Sequence, residues 1–83
     1  MGKYTSDDAL EDIEAILFMI DEIENEYPRV WDRGEDFLSD VREKVQGVKL
    51  SVENTDSVTE NMARAIHNWS NGVMNWHPEY REE

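Results

Sequence analysis

Apolar residues recur at steps of three and four positions along most of this 83-residue chain. Such spacing keeps side chains on one face of an α-helix, and the pattern is interrupted at Pro28 and again over residues 54–56. Each of the three segments has one apolar face that must be buried against another element. The sequence therefore predicts an all-α fold, a small three-helix bundle, with a single domain over residues 1–83.

The first predicted helix begins at Thr5 or Ser6, where Thr5-x-x-Asp8 resembles a capping box. Pro28 is expected to end it, because proline lacks an amide hydrogen and restricts the residue before it. Its core stripe is predicted to consist of Ala9, Ile13, Ile16, Ile20, Ile23 and Tyr27, with Leu10 and Leu17 widening the apolar face.

The second predicted helix runs to about Glu53, and Pro28 suits its first turn. Gly34 and Gly47 weaken this prediction, so a start between residues 32 and 35 stays open. The valine-rich seam is also compatible with a strand, but its period is closer to 3.5 than to 2. The predicted seam residues are Trp31, Gly34, Leu38, Val41, Val45, Val48 and Val52.

The third helix is predicted to start at a capping box, Ser57-x-x-Glu60, and to end before Pro78. Its stripe is predicted to comprise Met62, Ile66, Trp69, Val73 and Trp76. Met74 lies off this stripe, which makes it the candidate for an exposed contact, whereas the two tryptophans are expected in the core. Self-association through this helix or the second one, as a homodimer, is possible on this pattern.

Negative charge is concentrated in the first helix. The chain has 20 acidic and 8 basic residues and a formal net charge of -12. Residues 1–28 hold nine of the acids and one of the bases, and no basic residue occurs between Tyr4 and Pro28. Like charges three or four positions apart repel by a few tenths of a kcal/mol per pair, so stability alone does not explain this pattern.

Phe18 points away from the isoleucine stripe and has acidic residues around it. Carboxylates can pair with arginine and lysine of a partner while an aromatic ring fills a pocket. Two alternatives stay open: Phe18 packs against another helix, the tail of the chain or a second copy of the protein, and the charged residues form a solvated face. The predicted contact face consists of Asp7, Glu11, Glu14, Phe18, Asp21 and Glu22, with Met74 as a further contact.

The few basic residues cluster in the middle of the chain, at Arg29, Arg33, Arg42, Lys44 and Lys49. They are expected to pair with neighbouring acids or with the first helix, which leaves the outer side of that helix uncompensated. Because phosphates are repelled by so acidic a surface, direct nucleic-acid binding is not expected.

Neither catalysis nor cofactor binding is predicted. The chain has no cysteine, its four glycines are isolated, and no nucleophile stands in a recognisable arrangement with a base. His67 and His77 are ten positions apart and match no metal-ligand spacing, so no metal site is expected. No apolar run suits a signal peptide or a membrane span, which favours a cytoplasmic protein without membrane contact.

In size, charge and lack of enzymatic motifs the chain resembles the small acidic inhibitors that phages and mobile elements encode, which include DNA-mimic, anti-CRISPR and anti-restriction proteins. The resemblance covers no specific motif. It implies a non-enzymatic protein that occupies the basic surface of a nucleic-acid-binding protein or complex. The alternatives are an antitoxin-like or immunity-like neutraliser of a toxic enzyme, and a homo-oligomeric scaffold bundle whose acids keep it in solution, as in a salt-rich cytoplasm.

Overall fold

The computed structural model describes residues 4–79, and these form three helices that pack pairwise against one another. Helix α1 spans Ser6–Glu26, α2 spans Pro28–Thr55 and α3 spans Glu60–Trp76. The described residues contain no strand. The predicted three-helix bundle is therefore confirmed.

The start of α1 is fixed by the predicted capping box. Thr5 Oγ1 accepts a hydrogen bond from the Asp8 amide at 3.2 Å, and Asp8 Oδ2 accepts one from the Thr5 amide at 3.1 Å. These reciprocal bonds satisfy two amide groups that have no partner within the helix. The prediction made from Thr5-x-x-Asp8 is thus confirmed.

A single residue, Tyr27, connects α1 to α2. It has φ -131° and ψ 63°, and Pro28 follows directly as the first residue of α2. The proline ring sets φ to a helical value and its missing amide hydrogen costs nothing in a first turn. Of the two starts left open, the structure adopts Pro28, and α2 continues through Gly34 and Gly47 without a break.

The turn before α3 differs from the prediction. Thr59, and not Ser57, caps the helix, with Thr59 Oγ1 accepting from the Met62 amide at 3.1 Å. The chain leaves α2 through Asp56 in the left-handed conformation, and residues 57–59 remain non-helical. This extra length lets Val58 pack against the core. The predicted capping box at Ser57 is therefore wrong.

The core lies where the three apolar stripes meet. It contains most of the predicted residues together with Met19, which the stripe did not include. Tyr27, Trp31, Val48, Met62, Trp69 and Trp76 are half-buried at its margins. The buried apolar residues are Ala9, Ile13, Ile16, Met19, Ile20, Ile23, Leu38, Val41, Val45, Val52, Ile66 and Val73.

Replacing Gly47 by alanine is expected to stabilise the protein by about 0.5–1 kcal/mol, because alanine loses less backbone entropy in a helix. A Cβ atom at this position meets no atom within 4 Å. Urea denaturation should show a higher midpoint with an unchanged slope. Gly34→Ala is the matched control.

At Gly34 the added Cβ would stand 3.0 Å from two ring atoms of Trp76, so the indole must move. Gly34→Ala should therefore stabilise the protein less than Gly47→Ala does, or should destabilise it. Equal stabilisation by the two substitutions would contradict this account of the contact between α2 and α3.

Candidate protein-binding surface

The side of α1 opposite the core carries a stripe of four exposed residues, Asp7, Glu11, Glu14 and Phe18, here named the outer stripe. Each member precedes a buried residue of the core stripe by two positions, which places it about 200° away around the helix. Phe18 leaves 61% of its surface exposed, so it does not pack in the core. The predicted outward direction of this ring is confirmed.

The acidic residues of α1 differ in whether another described residue pairs with them. Asp8 belongs to the helix cap, and Asp12 accepts a 2.6 Å hydrogen bond from the Tyr4 hydroxyl. Burial, this bond and the nearby carboxylates raise the pKa of Tyr4 above its usual range, so the hydroxyl stays a donor. By contrast, Asp7, Glu11 and Glu14 take no hydrogen bond or ion pair from a side chain within residues 4–79.

Asp21 belongs to an ion pair across the bundle. Arg42 Nη2 of α2 lies 3.0 Å from Asp21 Oδ1 and 2.8 Å from Glu24 Oε1. The Arg42 guanidinium also lies 5.2 Å from the ring centroid of Trp31, where a cation–π contact adds to its placement. Asp21 remains exposed, but part of its charge is neutralised. Asp21 is therefore a predicted contact residue that also connects α1 to α2.

Glu22 joins α1 to the end of α3. Its Oε1 lies 2.7 Å from Nε2 of His77, a fully buried residue that caps α3. The amide of Glu79 donates to His77 Nδ1 at 3.2 Å, so a neutral ring carries its proton on Nε2 and donates it to Glu22. Glu22 is half-buried as a result. It is the least accessible acid of the predicted contact face.

Phe18 stands at the edge of an open pocket of about 390 Å³ near the carboxyl end of α1. Tyr27 contributes a second ring to its wall, and its hydroxyl donates to Glu79 Oε2 at 3.1 Å. Burial, this hydrogen bond and the charges of nearby acids raise the pKa of Tyr27, which keeps the hydroxyl protonated at neutral pH. The acidic residues that line the pocket are Asp21, Glu22, Glu26 and Glu79.

Met74 does not occupy the exposed position that was predicted for it. It is half-buried and packs against the core, and the Ser70 hydroxyl lies 3.9 Å from its sulfur. Because α3 contacts both other helices, its apolar face is wider than one stripe and includes this position. Little of Met74 remains for a partner. Trp69 and Trp76 pack against the core as predicted.

The pairing predicted for the basic residues is confirmed at two of them. Arg42 reaches α1, and Lys44 lies 3.0 Å from Asp40 one turn earlier on α2. None of the ion pairs among residues 4–79 involves the outer stripe. Arg42 therefore pairs with acidic residues of α1 that lie beside the outer stripe, and the carboxylates of the outer stripe itself form no such pair within these residues.

Sequence reasoning missed the roles of His77 and Glu79. These residues are two positions apart, and Glu22 is 55 positions away from His77, so no local spacing connects the three. The only local signal was that His77 directly precedes Pro78 at the end of a helix.

Comparison of the chain with protein families, with curated proteins and with solved structures found no match. Within residues 4–79, none of the helices combines the length and the apolar character needed to cross a membrane. The functional argument therefore rests on the geometry and charge of the surfaces described above.

Proposed function

We propose that this protein is a non-enzymatic inhibitor that acts in the cytoplasm by covering the basic, nucleic-acid-binding surface of a partner protein. The observation that supports the proposal most directly is the outer stripe. It presents three carboxylates without partners among the described residues, followed by a phenylalanine that is 61% exposed. A side chain of that size gains from burial in a partner.

The acidic residues of α1 suit a surface that normally holds phosphates. Nine carboxylates over a helix of 21 residues, about 30 Å long, give one negative charge roughly every 3 Å of axis. Consecutive phosphates of one DNA strand are about 3.4 Å apart along the duplex axis. Three of the nine carboxylates lie on the outer stripe, where they can meet arginine and lysine side chains arranged for a nucleic acid, and the other six add to the negative charge of the helix.

Phe18 provides an apolar side chain that can be buried in a partner, which the carboxylates cannot. Exposed ion pairs contribute little each and are screened by salt, whereas a buried aromatic anchor can account for much of a binding free energy. The ring follows Glu14 by one helical turn, so the carboxylates and the ring face the same direction. We infer that the acids accelerate and orient association and that Phe18 confers specificity.

In the test, a lysate of the cells in which the protein acts is loaded on DNA-cellulose, which retains DNA-binding proteins. The purified protein is then added at constant ionic strength to elute its partner. A protein released in this way is then purified, and its competition between DNA and the inhibitor is measured by mobility shift. The wild-type chain should displace DNA from it. Release of a toxic enzyme that acts on nucleic acid would instead support the antitoxin-like alternative.

The double substitution Glu11→Lys/Glu14→Lys is expected to weaken this competition about tenfold at 0.1 M salt, because two attractive contacts become repulsive. The matched control is Glu43→Lys/Glu53→Lys, which makes the same change in net charge at two exposed positions of α2. The control should keep most of the activity.

Equal losses in the two double variants would show that only net charge matters, and would contradict a role for the outer stripe. The proposal would also be lost if the wild-type chain displaced no DNA-binding protein. Sedimentation of the protein alone as a stable homo-oligomer in that case would favour the scaffold alternative.

A further inference from the structure

We propose that Glu22, His77 and Glu79 form a binding site for one divalent transition-metal ion of the Zn²⁺ type. Each residue offers one ligand atom, and the three atoms lie within 4.8 Å of one another. Glu22 lies in α1, and His77 and Glu79 directly follow α3, so an ion there would connect α1 to the end of α3. Phe18 of the outer stripe lines the same pocket as Glu22 and Glu79, but metal binding here does not depend on the proposed inhibition.

The donor set points to a transition metal. One imidazole and two carboxylates suit Zn²⁺, Co²⁺, Ni²⁺ or Mn²⁺, whereas Ca²⁺ and Mg²⁺ favour oxygen ligands alone. Three protein ligands also leave a position for water or for a donor from another molecule.

The charges of the site favour a cation. Asp21 and Glu24 share Arg42, but Glu22 and Glu79 pair with no lysine or arginine of the described residues. Glu22 Oε1 instead lies 2.7 Å from Nε2 of the buried His77, and Glu79 Oε2 accepts a hydrogen bond from the Tyr27 hydroxyl. A divalent ion would balance the two carboxylates in a region where α1 already carries strong negative charge.

The ligands are held by their surroundings. His77 is fully buried, and the ring of Tyr27 packs against it edge-on with centroids 5.4 Å apart. The Tyr27 hydroxyl donates to Glu79 Oε2 and so orients that carboxylate. Hydrogen bonds of this kind to metal ligands commonly change affinity by about 10–100-fold. Tyr27 is therefore a positioning residue of the site.

Without metal, His77 Nε2 and Glu22 Oε1 are 2.7 Å apart and share a hydrogen bond, whose proton a metal on Nε2 would displace. When a metal binds Nε2, this proton moves to Nδ1 and the ring stays neutral. The Glu79 amide must then give up its hydrogen bond to His77 Nδ1. Donor atoms around tetrahedral zinc are about 3.3 Å apart, so Glu22 Oε1 must move away from His77 Nε2 when the ion binds.

The test is calorimetric titration of the chelator-treated full chain with Zn²⁺ at pH 7.5 in excess Mg²⁺, which occupies diffuse acidic sites. One equivalent of Zn²⁺ should bind, and ¹⁵N-resolved NMR of the His77 ring should show protonation changing from Nε2 to Nδ1. Glu79→Gln and His77→Gln should each weaken binding at least tenfold. His67→Gln, at an exposed histidine elsewhere on α3, is the matched control and should bind as the wild type does.

Glu79→Gln keeps the proposal testable if His77→Gln fails to fold, because Glu79 is exposed. Tyr27→Phe removes only the hydroxyl and should reduce affinity about tenfold. Absence of stoichiometric binding, an unchanged affinity in Glu79→Gln, or loss of binding in His67→Gln would each overturn the proposal.

Discussion

Phe18→Ala is expected to weaken inhibition of the DNA-binding partner about 30-fold, which corresponds to about 2 kcal/mol. The ring is 61% exposed in the free protein, so its truncation removes an anchor without opening a cavity in the core. The free energy of unfolding should therefore change by less than about 0.5 kcal/mol. Mobility-shift competition and urea denaturation measure the two quantities.

Leu50→Ala is the matched control for this prediction. Leu50 is 62% exposed and lies on α2, away from the outer stripe. If loss of any exposed apolar side chain reduced inhibition, both variants would be impaired. Full inhibition by Phe18→Ala would show that Phe18 is a solvated side chain and would leave the acids as the sole basis of recognition.

Ile20→Ala is expected to destabilise the protein by roughly 3 kcal/mol and to lower the melting temperature by on the order of 15 °C. Ile20 has no exposed surface and lies in α1, which packs against both other helices. Its truncation loses buried apolar surface and leaves a cavity that neighbouring side chains fill only in part. For a domain of this size, that is a large share of the total stability.

Thermal denaturation followed by circular dichroism tests the prediction for Ile20, and Leu50→Ala again serves as control because it shortens an exposed aliphatic side chain. The control should stay within about 0.5 kcal/mol of the wild type. A loss below about 1 kcal/mol in Ile20→Ala would mean that α1 is less tightly packed than the structure describes.

The helices were predictable because their signals are local. The isoleucine stripe of α1, the capping box at Thr5 and the stop at Pro28 depend on residues within a turn or two of one another. The error at Ser57 arose because Ser57 and Thr59 are both able to cap a helix. Packing of Val58 decided between them, and that packing involves the core formed by all three helices.

The outer stripe was also predictable, because helical rotation places Asp7, Glu11, Glu14 and Phe18 opposite the core. The environment of Asp21 and Glu22 was not, since Arg42 and His77 come from other helices. Met74 was misplaced for a related reason. A single apolar stripe describes contact with one neighbour, whereas α3 packs against two.

The sequence by itself determined the helical class, the chain order of the helices and the excess of negative charge on the outside of α1. These properties follow from periodicity, caps and composition, which act within one segment. Only the tertiary structure decided which carboxylates pair with a cation and which remain available. It alone brought Glu22 to His77 and Glu79, because convergence across 55 positions depends on how the helices pack.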